Sequence, residues 1–187
     1  MKRTQKLKWL CASLLLLSLS VTSYTQSLKD FFGSSETATV YLGIDFTKAR
    51  LINSPTANPA DIKGRLYRSI NDVVVAEPKK FDLAGVFNKA GVSNDLTAVH
   101  AGNEKINAEE IVSTKFEDFN RLKESDMASI LKALNISNLK GVGILFVFEA
   151  MKSIEKGDDA AAVWTVLVDL QTKKVLLAER FEVKAKG

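Results

Sequence analysis

The chain has 187 residues, 46% of them hydrophobic, with 26 lysines and arginines against 22 aspartates and glutamates. Four of the basic residues lie at positions 2 to 8, and the remaining 22 balance the 22 acidic ones. This balance gives no support for nucleic acid or an anionic membrane surface as a partner.

The N-terminus has the layout of a cleavable export signal. Its basic residues precede an apolar run, Trp9–Val21, that is followed by small polar residues. The run has about 13 residues, whereas a membrane-spanning helix needs roughly 18 or more. We therefore expect residues 1–25 to be a signal peptide, with no permanent membrane span and with a mature protein that is periplasmic or secreted.

Cys11 is the only cysteine and lies inside the predicted signal. The mature domain is then cysteine-free, which excludes disulfides, thiolate metal sites and cysteine nucleophiles. Lipid anchoring at Cys11 is not expected, because the acylated cysteine of a lipoprotein directly follows the apolar run.

The mature chain is predicted to begin with a leader, residues 26–37, in which Phe31 and Phe32 pack against the core. Residues 38–187 are expected to form a single domain. From Ala38 to Thr47, apolar and polar residues alternate, and this alternation predicts a half-buried first strand.

A long helix is predicted to begin at Asn58, because Asn58 can cap it and Pro59 suits the first turn. It should end near Glu77, since Pro78 disfavours helical backbone at the preceding residue. Its predicted apolar stripe consists of Ile62, Leu66, Ile70, Val73 and Val74.

The middle of the chain carries weaker patterns. We expect a short helix over Asp82–Lys89, a strand over Leu96–His100, and a helical turn opened by Asn107. A further helix is predicted to be capped by Ser125 and closed by Asn135. The residues expected to point inward are Leu83, Val86 and Phe87 in the short helix, and Met127, Ile130, Leu131 and Leu134 in the later one.

Three strands are predicted at the C-terminus: Val142–Phe148, Ala161–Asp169 and Val175–Val183, the last two joined by a turn at Leu170–Lys173. Short connections favour an antiparallel meander, with the first strand beside it. The predicted fold class is α+β: a mixed, mainly antiparallel sheet with a C-terminal three-strand meander and helices packed on it.

The segments Tyr41–Ala49, Ser69–Asn71 and Glu77–Phe81 resemble a group of uncharacterised exported proteins from Bacteroidetes-type bacteria. The resemblance covers about the first half of the mature chain and implies export and a shared fold, with no known activity. The C-terminal meander resembles sheet modules of envelope lipoproteins and Tol-type periplasmic proteins in topology alone.

Two residues are candidates for catalysis. His100 is the only histidine, so any imidazole base must be His100. Asp45 lies on the predicted first strand. The alternatives are a hydrogen-bonded histidine at a strand end and a solvent-facing strand aspartate. With one histidine and no mature cysteine we expect no metal site, and without a phosphate-binding or dinucleotide fingerprint we expect no cofactor.

Two further segments each allow a functional and a structural interpretation. Asp158 and Asp159, beside Gly157, could hold calcium or form a solvated turn. Glu77–Phe81 could be a partner-binding corner or simply a helix stop that buries its aromatic residue.

Three functions fit these observations. The first is a noncatalytic envelope module that binds another envelope protein or a small ligand. The second is a hydrolase that uses paired carboxylates. The third is a small-ligand carrier with a pocket lined by Trp164, Phe146 or Phe148. We favour the binding module, and no enzymatic activity is predicted.

Overall fold

The computed structural model describes residues 27–153 and 159–184. Over these residues, seven strands form one sheet. They are β1 (Thr39–Asp45), β2 (Arg50–Ile52), β3 (Ser93–Asn94), β4 (Val112–Ser113), β5 (Val142–Lys152), β6 (Ala160–Asp169) and β7 (Lys174–Lys184).

Within the same described ranges, five α-helices pack around this sheet. They are α1 (Leu28–Gly33), α2, α3 (Leu83–Val86), α4 (Thr97–Asn103) and α5 (Glu124–Ala133). Helix α2 is continuous but irregular: it consists of Pro59–Asp61, a π-helical turn over Ile62–Leu66, and Tyr67–Ala76. Two short 3₁₀ helices, Ala108–Glu110 and Phe116–Asn120, flank β4.

The predicted fold class, α+β with a mainly antiparallel sheet, is wrong. Strand β5 pairs with both β1 and β2, which pair in turn with β3 and β4, and all four of these pairings are parallel, as in α/β proteins. Three of these strands have only two or three residues, too few to show a periodic pattern. Antiparallel pairing is confined to β5–β6 and β6–β7, the expected C-terminal meander.

Strand β5 organises the sheet. One of its edges pairs with β6 over Val142–Lys152. The other edge pairs first with β1, as expected for the first strand, and then with β2. Strands β1 and β2 therefore lie end to end along this edge of β5, and their connection, residues 46–49, interrupts the pairing between Val147 and Ala150.

Helices cover both faces of the sheet. Neighbouring residues of a strand point to opposite faces. On one face, Leu145 belongs to a buried cluster with Val99 of α4 and Ile130 of α5. On the other, Ile144 belongs to a cluster with Phe31 of α1. The prediction that Phe31 packs in the core is confirmed, whereas Phe32 is 57% exposed.

Two buried asparagines complete the end of β1. Asn71 of α2 accepts a hydrogen bond from the Ile44 amide at 2.6 Å and donates to the Ile44 carbonyl at 3.0 Å. Asn103 of α4 accepts from the Phe46 amide at 2.8 Å and also donates to the Ile44 carbonyl. Gly43 has a φ of +104°, and a Cβ there would lie 2.8 Å from Asn71 Oδ1. We call Asn71 and Asn103 the amide clamp.

The π-helical turn changes which face of α2 is buried. The helix begins after Asn58 and ends before Glu77, as predicted. The predicted stripe is confirmed for Ile62, which is buried, and for Leu66 and Val74, which are partly buried against core clusters. It is wrong for Ile70 and Val73, which are 44% and 39% exposed. The wide turn adds a residue to the repeat, so that Ile62, Tyr67 and Asn71 are the residues buried against the core.

Four local predictions are corrected by the structure. The predicted strand Leu96–His100 is part of helix α4, which begins where the Asp95 carboxylate accepts a hydrogen bond from the Thr97 amide. Val86 is 75% exposed. Ser125 does not cap α5, and Asn135 does not close it in a left-handed conformation.

No helix of the described part of the chain is both long and apolar enough to span a bilayer. The expected signal peptide, residues 1–25, lies outside the described residues.

Candidate functional site

A cleft of about 730 Å³ opens between α4 and α5, where β1 ends. Its floor is the β1–β2 connection, and its walls come from α4, from residues 105–110, and from the segment that leads into α5. The charged residues that line it are Asp45, Lys48, Lys105, Glu110, Arg121 and Asp126, and the larger apolar ones are Ile106, Leu122, Ile130 and Leu134.

Arg121 crosses the floor of the cleft. Its Nη2 donates to the Lys48 carbonyl, while its buried Nε has no hydrogen-bond partner among the described residues. Burial lowers the pKa of Arg121, and the neighbouring Arg50 lowers it further, although Asp118 and other nearby carboxylates act in the opposite direction. The guanidinium is therefore only partly compensated.

Glu149 fixes the segment that carries Arg121. This carboxylate is fully buried on β5 and accepts from the Leu122 amide at 2.6 Å, Trp164 Nε1 at 3.1 Å and Arg180 Nε at 2.7 Å. Arg180 also donates to the Phe119 carbonyl at 2.7 Å. One buried ion pair thus holds both ends of the 119–122 segment against the sheet.

Asp45, a predicted candidate, lines the cleft but is only 1% exposed. The alternative of a solvent-facing strand residue is therefore wrong. Its Oδ1 accepts from the Thr47 amide at 2.8 Å and from Thr47 Oγ1 at 2.6 Å. Burial raises the pKa of Asp45 in spite of these hydrogen bonds and of the nearby Lys48. Asp45 shapes the turn that follows β1.

His100, the other candidate, lies on α4 but does not line the cleft with Asp45. It lines a separate, more open depression with Arg68 and Glu104. Its Nε2 lies 3.6 Å from an Asp72 carboxylate oxygen and makes no hydrogen bond. The structure does not bring the two candidates together.

The other predicted sites fall elsewhere. Trp164, Phe146 and Phe148 do not line the cleft; Trp164 is a core residue held by Glu149. Asp158, half of the possible calcium turn, lies outside the described residues. Among the residues described, no cluster of three or more histidine, aspartate or glutamate side chains could hold a metal ion.

Sequence reasoning missed Arg121, Lys48, Lys105 and Glu149. Arg121 follows a 3₁₀ helix in a stretch with no clear period, so no pattern singled it out. Glu149 carried one usable signal: it is an acidic residue in an otherwise apolar central strand, and a buried carboxylate requires partners.

No protein family matches the chain, and comparison with curated proteins gives no match. Among solved structures, a lipoprotein from Neisseria meningitidis is 10% identical over 80% of this chain and 81% of that one, with a TM-score of 0.33. The LpoB C-terminal domain from Salmonella enterica is 8% identical over 85% and 96%, with a TM-score of 0.32. A homologue of the neuraminyllactose-binding hemagglutinin from Helicobacter pylori is 10% identical over 87% and 71%, with a TM-score of 0.29. These similarities assign neither a family nor a function.

Proposed function

We propose that the protein is an exported, noncatalytic binding module of the bacterial envelope that holds a small ligand in the cleft between α4 and α5. The cleft itself is the observation that carries this proposal. Its volume of about 730 Å³ lies within the range of roughly 300–1,000 Å³ typical of small-molecule sites. Export rests on the sequence of residues 1–25.

The construction of the cleft supports a preformed site. The amide clamp ties the end of β1 to α2 and α4, and the Glu149–Arg180 pair ties the 119–122 segment to β5 and β7. A site whose floor and wall are fixed before binding loses less conformational entropy when the ligand enters. The mixture of apolar and charged lining residues suits a ligand with both characters.

A hydrolase is the second candidate, because the cleft contains a buried carboxylate, Asp45, whose pKa is raised. The other two carboxylates of the cleft are already engaged. Glu110 pairs with Arg50 at 2.9 Å, and Asp126 accepts from the Lys123 amide at 2.8 Å. Asp45 itself accepts the hydrogen bonds of the Thr47 turn. A binding function therefore needs fewer assumptions about these carboxylates than a hydrolase that uses a pair of them.

The test is a fragment screen read by two-dimensional amide NMR. We expect the fragments that bind to shift the resonances of cleft residues such as Ala101 and Gly102. Ser129 and Ala128 are adjacent exposed residues of α5, but only Ser129 lines the cleft. Ser129→Trp should therefore fill the cleft and abolish these shifts, whereas Ala128→Trp should preserve them.

Fragments that cluster elsewhere, or cleft shifts that survive Ser129→Trp, would refute the cleft as the binding site. Hydrolysis of a substrate by the wild type, lost in Asp45→Asn while binding is retained, would establish the second candidate instead.

A further inference from the structure

The charges of the cleft are unevenly compensated. All three of its carboxylates accept hydrogen bonds from the protein. Its three cations, Lys48, Lys105 and Arg121, form no ion pair within residues 27–153 and 159–184. The cleft has equal numbers of positive and negative residues, and of these six only Glu110 forms an ion pair there, with Arg50. Asp45 and Asp126 accept hydrogen bonds from neutral donors, whereas Arg121 keeps a buried N–H without an acceptor among the described residues.

Arg121 is the most constrained of these cations. One of its nitrogens donates to the Lys48 carbonyl, which places the guanidinium beside the Lys48 backbone. Its buried Nε has no acceptor among the described residues. Arg50 lies nearby as well, although it is paired with Glu110. A fork of N–H donors close to another cation matches the two oxygens of a carboxylate or phosphate.

Part of the lining is apolar. Ile106 lies on one side of the cleft, and Ile130 and Leu134 lie on the other. These three side chains are only 8%, 4% and 5% exposed, so the apolar surface open to a ligand belongs mainly to Ala101, Ala133 and the half-buried Leu122. An apolar body would cover that surface. The cationic and the apolar parts of the lining together fit one molecule with an apolar body and an anionic head.

We infer that the cleft binds a small amphiphilic anion, with its carboxylate or phosphate head at Arg121 and its apolar body between α4 and α5. This inference rests on the proposed function and specifies the ligand class. Lys48 and Lys105 attract the head, and Arg121 fixes its position by directed hydrogen bonds.

The experiment compares three probes with the same ten-carbon chain: decanoate, decyl phosphate and 1-decanol. Each is titrated, below its micelle concentration, into the purified protein, and binding is followed by the amide resonances of the cleft. A charge-assisted hydrogen bond contributes about 1.5–3 kcal/mol. We therefore expect at least one of the two anions to bind about tenfold or more tightly than decanol, and the tighter one identifies the head group.

Arg121→Gln should reduce the affinity for the preferred anion to about the affinity for decanol, which itself should not change. Lys48→Gln removes an exposed charge with little risk to folding, and it should weaken the anion by a smaller factor. Arg65→Gln is the matched control: Arg65 lies on the exposed part of α2, paired with Asp61, and its loss should change neither affinity.

The outcomes separate the inference from the proposed function. If decanol binds in the cleft as tightly as both anions, or if Arg121→Gln and Lys48→Gln leave the anion affinity unchanged, the anion site is refuted while the cleft remains a binding site. If no probe shifts cleft resonances and the fragment screen also finds no cleft binder, both proposals fail.

Discussion

The buried Glu149–Arg180 pair allows a sharp test of how the cleft wall is held. Glu149 is completely buried, whereas the Arg180 side chain is 20% exposed. Replacing Arg180 with methionine removes the positive partner but keeps most of the aliphatic volume. The carboxylate then remains buried with only two neutral donors, from Leu122 and Trp164.

Breaking a buried ion pair from one side destabilises a protein by about 3–5 kcal/mol, because the remaining charge stays buried. Arg180 is partly exposed, so water can reach the vacated site, and we expect the lower end for Arg180→Met, about 3 kcal/mol. Glu149→Met leaves the Leu122 amide and Trp164 Nε1 without their acceptor, but the charge that remains, that of Arg180, can turn towards solvent.

Urea unfolding followed by circular dichroism gives the free energy of unfolding of the wild type, both single variants and the Glu149→Met/Arg180→Met double variant. We expect the double variant to be more stable than the sum of the single effects predicts, by about 1–3 kcal/mol. Arg68→Met, which removes only exposed ion pairs, is the control and should change stability by less than about 0.5 kcal/mol.

Additive single effects would refute this reasoning. Additivity within about 0.5 kcal/mol would mean that Glu149 does not depend on Arg180 for its burial. The 119–122 segment would then be held by the other contacts alone.

Two further predictions concern the backbone and pH. Burial raises the pKa of Asp45, so the folded state binds more protons than the unfolded state between the unfolded carboxyl pKa, about 3.9, and the raised value. The unfolding free energy of the wild type falls as pH rises through that window. Asp45→Asn should therefore gain stability relative to the wild type there. Identical pH dependences of the unfolding free energy in urea titrations of the two proteins would contradict this. Gly141 has a φ of +92°, and a Cβ there would lie 2.1 Å from the Ala38 carbonyl oxygen. Gly141→Ala should therefore lower the thermal midpoint and cost about 2–3 kcal/mol, whereas Gly91→Ala, which has open space around it, should be nearly neutral.

The sequence allowed the long elements to be predicted because their signals are local. The start of α2 at Asn58 and Pro59 depends on capping chemistry within one turn. The order β5, β6, β7 follows from long apolar strands with short connections. Each of these signals lies within about a dozen residues, so no tertiary information was needed.

The prediction of the fold class failed because the features that determine it are neither local nor periodic in the sequence. Strands β2, β3 and β4 exist through pairing with distant partners, and their two or three residues carry no pattern. The buried face of α2 depends on a π-helical turn, which no helical periodicity anticipates. Strand Leu96–His100 was predicted from five residues, whereas the carboxylate of Asp95 directs them into a helix.

The candidate site was predicted only in part. Asp45 was selected because an acidic residue stood on an apolar strand, and it does line the cleft. His100 was selected for being the only histidine, which says nothing about its position. Arg121 contacts the Lys48 carbonyl and lies near Arg50, both about 70 residues away in the chain. Contacts between residues so far apart in sequence could be found only from the structure.

The amide clamp also has a consequence for the order of folding. Its hydrogen bonds from Ile44 and Phe46 close loops of 27 and 57 residues. The entropy of these loops must be lost before either asparagine can bond to the strand. We therefore expect the floor of the cleft to become ordered only when α2 and α4 dock, later than the more local pairing of the C-terminal meander.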